Sequence, residues 1–60
     1  MNPQKFKIGD LVKVEGWGSP FTVVDCYWGN TSGQWVYMLV GVVGGCEVHL
    51  NRLEQYLKGY

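Results

Sequence analysis

Cys46-x-x-His49, with Cys26 twenty positions before Cys46, brings together both cysteines and the single histidine of this 60-residue chain. Two thiolates and an imidazole suggest zinc chemistry. Structural zinc, however, takes four ligands in paired short spacings, and only one short spacing is present. Cys46 and His49 also stand three residues apart in a stretch that reads as a strand, which puts their side chains on opposite faces. No metal site and no cofactor are expected. Catalysis has as little to build on. No Ser or Cys has a spacing that predicts a nucleophile beside His49, and Asp25, Glu47 and Glu54 are scattered acids. A chain this short also has difficulty forming a cleft of the few hundred Å³ that ligand sites occupy. The expected number of catalytic residues is therefore none: His49 reads as a strand-end residue bonded to the backbone, and the cysteines read as reduced, small hydrophobes.

The remaining chemistry is aromatic. Three Trp, four Tyr and two Phe are present, and Trp17, Tyr27, Trp28, Trp35 and Tyr37 fall in or beside the central apolar segments. Such rings seat partner side chains at protein interfaces, and they also stack on bases. Base stacking normally accompanies a basic groove that neutralises the backbone. Here five basic and five acidic residues cancel to a net charge of zero. Lys5, Lys7 and Lys13 are the one basic grouping, and Asp10 and Glu15 dilute it. No general field draws the chain to nucleic acid or to anionic lipid.

The elements that must hold these rings are short strands. Lys5 to Gly16 reads as a turn on Gly9-Asp10 feeding a strand at Leu11 to Val14, with Val12 and Val14 on one face and Lys13 and Glu15 on the other. Gly16 to Pro20 is a loop. A second strand runs from Phe21 to Trp28, and Gly29 to Gly33 is a five-residue hairpin loop. A third strand starts at Gln34 and reaches Val40, with a bulge at Gly41 and continuation to Val43. Gly44-Gly45 is a two-residue turn, and Cys46 to His49 is the fourth strand. Leu50 to Leu57 has helical spacing of its leucines. The preferred reading is one 3₁₀ turn at Leu50 to Leu53 and a closing strand at Glu54 to Leu57, because a fifth strand closes the edges of a barrel.

Strand parity divides the side chains further. Val12, Val14, Val24, Cys26, Val36, Met38, Val40 and Val48 form a compact set suited to a small interior. Tyr27, Trp35 and Tyr37 would then make an outer ladder, extended by Phe21 and Leu39, with Asp25 marking that face as wet; the alternative is a second small core under the Trp17 loop or Tyr56. Residues 1–4 read as a flexible tail and residues 5–60 as one domain. The longest apolar run, Val36 to Val43, is far short of the roughly 20 residues that span a bilayer. Met1-Asn2-Pro3-Gln4 has no apolar signal region, so a cytoplasmic protein without membrane contact is expected.

The order G-D-x-V-x-V, long loop, strand, hairpin, strand, Gly turn, strand, N-R-L-E resembles small SH3-like barrels of the Tudor and KOW type. The first third is similar to YodC-like small bacterial proteins through Phe6, Lys7, Gly9, Asp10, Val12 and Val14, then Gly18, Pro20, Thr22 and Val23. Ser19 splits the Gly-Pro pair of that pattern, Phe21 replaces its methionine, and only Trp35 corresponds to its C-x-W-F strand. The resemblance implies an all-β, five-stranded SH3-like barrel with a short 3₁₀ turn before the last strand, and it implies no activity. The expected function is that of a non-catalytic binding module, contacting a protein segment or an identical copy through Trp17, Tyr27, Trp28, Trp35 and Tyr37. The alternative is a binder of single-stranded RNA or DNA, using the same rings with Lys5, Lys7 and Lys13.

Overall fold

In the computed structural model, which describes residues 3–60, the chain turns at Gly9-Asp10 as its sequence dictates. Gly9 adopts a φ of 96°, a region open to glycine at little cost. The Asp10 carboxylate accepts from the Lys7 amide at 2.9 Å, while the Asp10 amide donates to the Lys7 carbonyl at 3.0 Å. Strand β1 (Leu11–Val14) follows, then β2 (Phe21–Gly29), β3 (Gln34–Val43), β4 (Cys46–Leu53), a 3₁₀ turn (Glu54–Tyr56) and β5 (Leu57–Gly59). The five strands form one antiparallel sheet in the order β4-β3-β2-β1-β5. No ladder joins β4 to β5, so the sheet is not closed. Met1 and Asn2, half of the expected tail, lie outside the described residues.

The carboxyl-terminal boundaries differ from those expected. Strand β4 continues to Leu53 instead of stopping at His49, because its ladder with β3 runs unbroken from Val43↔Cys46 to Val36↔Leu53. The 3₁₀ turn therefore falls on Glu54–Tyr56 rather than on Leu50 to Leu53, and the last strand begins at Leu57. The bulge is also displaced. Gly41 pairs regularly with Val48, whereas the β2–β3 register shifts between Val23 and Asp25, leaving Val24 as the extra residue.

That shift determines what fills the core. An extra residue in a strand reverses the face of everything beyond it. Phe21 and Val23 point inward before the bulge, and Cys26 and Trp28 share that side after it. Opposite them on β3 stand Leu39, Tyr37 and Trp35. The buried cluster is Phe6, Val12, Val14, Phe21, Val23, Tyr37, Leu39 and Leu57, with Cys26, Trp35 and Val48 packed against it. Of the set expected inside, Val12 and Val14 are buried and Cys26 and Val48 partly so, while Val24 and Met38 are exposed and Val36 and Val40 half-buried. Large rings fit the interior because Gly41 makes room for one. A Cβ there would lie 2.8 Å from Cδ2 of Phe21.

Candidate interaction surfaces

Tyr37 shows why the expected outer ladder does not exist. Its ring is fully buried and meets Phe6 edge-on, with centroids 5.5 Å apart. Burying a phenol requires partners for its hydroxyl. The Tyr37 hydroxyl donates to Glu54 Oε2 at 2.8 Å and accepts from the amides of Lys5 and Phe6 at 3.1 and 3.2 Å. Burial pushes its pKa above the ordinary phenol value, the Glu54 carboxylate adds to the rise, and the Phe6 amide opposes it. This hub ties the amino-terminal segment and the 3₁₀ turn to the middle of β3. Tyr37 is thus a core residue and not part of a contact surface.

The other four expected contact residues are dispersed. Trp28 and Trp35 pair across the β2–β3 ladder, edge-on with centroids 5.6 Å apart, both half-buried on the inner side. Tyr27 lies on the opposite, outer side and is 51% exposed. Trp17 sits beyond the end of β1, its amide bonded to the Val14 carbonyl at 3.0 Å and its ring edge-on to Phe21 at 5.5 Å. The structure brings Trp28 and Trp35 together and separates both from Tyr27 and Trp17.

Two surfaces emerge that the sequence reading did not identify. One is the outer face of the central ladder. Val36, Met38, Val40 and Val42 alternate outward along β3, with Met38 38% and Val42 65% exposed. The register places Tyr27 beside Val36 and Leu53 on its other side. The rim is polar: Asp25 and Asn51 flank Met38, and His49 and Glu47 flank Val40 and Val42. His49 was expected at a strand end bonded to the backbone. It lies within β4, and its Nε2 is 2.7 Å from Glu47 Oε1 on the exposed face.

The second surface is an open cleft of about 550 Å³ against the β1–β5 ladder, lined by Lys13, Val14, Glu15, Trp17, Tyr56 and Lys58 among others. Its position depends on the pairing of β5 with β1, which sets Lys13 directly opposite Lys58. Neither the register nor the lysine pair is visible from residue spacing alone.

Cys26 and Cys46 are free thiols, Cys26 half-buried and Cys46 exposed. Burial raises the Cys26 pKa, and the neighbouring Asp25 charge adds to it, so the thiol form is favoured and the group is a poor nucleophile. Among the described residues no three or more His, Cys, Asp or Glu side chains are grouped to hold a metal ion. Among them, too, no helix is long and apolar enough to cross a membrane. Comparison with protein-family models, with curated proteins and with solved structures finds no match.

Proposed function

We propose that this protein is a non-catalytic binding module of the SH3-like small-barrel type, whose outer β2–β3–β4 face docks a protein surface. The strand order, the long loop between β1 and β2 and the 3₁₀ turn before β5 support the barrel reading. The docking reading rests on one observation: an apolar stripe of Val36, Met38, Val40 and Val42, with Met38 and Val42 exposed and Val36 and Val40 half-buried, bordered by polar side chains. Apolar centre and polar rim is the usual composition of a protein interface. A chain of 60 residues has little apolar surface to spare from its own core, which makes a stripe of this length costly unless it is covered.

The occupant tested first is a second copy. The molecule measures 36 by 18 Å across its two longest axes, so one face offers at most roughly 650 Å². Two such faces bury at most about 1,300 Å² in total, the low end of the range of specific interfaces. Sedimentation equilibrium of the parent should show a mass that rises with concentration. Met38→Lys and Val42→Lys should remain monomeric while melting within about 0.5 kcal/mol of the parent, as surface substitutions do. A parent that stays monomeric up to about 1 mM, where even weak complexes form, removes the second copy as occupant.

A further inference from the structure

We infer that the cleft between β1, β5 and the Trp17 loop binds a nucleotide, its phosphate on Lys13 and Lys58 and its base against Tyr56 and Trp17. The first observation is the lysine pair. Register places Lys13 directly opposite Lys58 on the outward side of the β1–β5 ladder, where like charges destabilise a sheet. Among the described residues no carboxylate lies within ion-pair distance of either ammonium, the single ion pair being His49 with Glu47. Two lysines on paired backbone positions, neither in an ion pair, can converge on one anion.

The second observation is the pair of rings. Tyr56 is 40% exposed, and Trp17 is fixed by its edge-on contact with Phe21. Both line the same cleft as the two lysines. Tyr60 stands nearby, its ring centroid 5.8 Å from the Lys13 ammonium. An adjoining hollow of about 340 Å³ adds Arg52 next to Tyr56. Glu15 is the one acid among these walls, so three cations face one anion although the whole chain is neutral. A cleft of about 550 Å³ falls in the size range of small-ligand sites. Local positive charge beside planar rings is the arrangement that takes a phosphate with its base. Lys5 and Lys7 do not line the cleft.

Nucleotide chemistry can come from a free nucleotide or from a single strand, and the two sources are separable. The probes are a fluorescein-labelled deoxythymidine oligonucleotide, adenosine monophosphate and inorganic phosphate. Lys58→Gln, Lys13→Gln and Tyr56→Ala should each weaken nucleotide binding about tenfold, while Lys5→Gln and Lys7→Gln leave it unchanged. Circular dichroism should show the lysine variants folded and melting no lower than the parent, since they relieve a like-charge pair. Raising salt from about 50 to about 200 mM should weaken the oligonucleotide about 2.6-fold, as one neutralised phosphate requires. Tighter binding of the oligonucleotide supports a strand as the source, and equal affinity per nucleotide supports the free form. The inference is overturned by any of three results. One is no binding of either nucleotide probe at about 1 mM. Another is inorganic phosphate binding as well as the nucleotides, and the third is a folded Lys58→Gln variant with parental affinity.

Discussion

On the inner face of β3, Tyr37 and Leu39 are sealed under Phe6, Phe21 and Leu57, while one residue along on the outer face Met38 and Val42 remain in contact with water. The two faces are equally apolar in composition, so hydrophobicity does not distinguish them. Packing opportunity does. The inner face receives the amino-terminal segment, the β1 valines and β5, and it contains a glycine where a ring needs space. The outer face leaves Met38, Val42 and Tyr27 exposed. Burial in this molecule follows from what the topology lays over a face, and an apolar face left partly uncovered remains available to a partner.

The largest test of this contrast lies on β1, where neighbouring residues face opposite ways. Val12 is wholly buried and Leu11 is exposed. Val12→Asp should unfold the domain, since an unpaired carboxylate in a core this small exceeds a stability of about 5–15 kcal/mol at its lower end. Leu11→Asp should leave the far-ultraviolet circular dichroism and the melting temperature close to those of the parent. Similar losses for both would show that β1 has no inner and outer side.

A smaller effect is expected at Gly41, where the inner face has no spare volume. Gly41→Ala places a methyl group 2.8 Å from the Phe21 ring, and overpacking of this kind costs about 1–3 kcal/mol. Shortening the ring should remove the conflict, so Gly41→Ala made in a Phe21→Leu background should cost almost nothing further. Chemical denaturation of the two single variants and the double variant measures that coupling. Additive losses would place Phe21 away from Gly41.

Much of the fold is legible in the residues. The Gly9-Asp10 turn, the β1 limits at Leu11 and Val14, the Phe21 start of β2, the Gln34 start of β3, the Gly44-Gly45 turn and a 3₁₀ turn before a short last strand all follow from turn chemistry and strand patterning. Side-chain direction from Phe21 to Val24 does not. A bulge of this type needs no special residue, so Val23-Val24-Asp25 looks like uninterrupted strand; a single parity that fits Cys26 inside and Tyr27 outside then puts Phe21 and Val23 on the wrong side of it. On β3 the preference for small residues inside failed for a different reason. Tyr37 can be buried because Glu54 and two backbone amides, distant in sequence, satisfy its hydroxyl. The surfaces were correspondingly hidden: the outer stripe consists of residues that seemed suited to the core, and the Lys13–Lys58 pair exists only through the β5 register.

The finest test of the two-face contrast concerns the Tyr37 hydroxyl, a polar group sealed on the inner side. Tyr37→Phe keeps the ring against Phe6 and removes only the hydroxyl. Lys5 still has Glu54 Oε2 at 3.3 Å as a partner for its amide, so the Phe6 amide is the group left without one. The cost at neutral pH is about 1–3 kcal/mol, that of leaving a buried donor unsatisfied. The same hydroxyl has a signature in alkali. Burial, reinforced by Glu54, raises the Tyr37 pKa in the folded protein above its usual value of 10.0, so the native state holds the phenolic proton more tightly than the unfolded chain. The stability carried by that difference is complete below about pH 10 and is lost as pH rises from there through the native value. Denaturation from about pH 8 to about pH 11 should therefore show the parent losing stability more steeply than Tyr37→Phe at the alkaline end, the two curves converging as the phenol ionises. Every other side chain is common to the two proteins and cancels in the comparison. Parallel curves would mean that the Tyr37 hydroxyl is in contact with water, and the inner face would then lose that polar anchor.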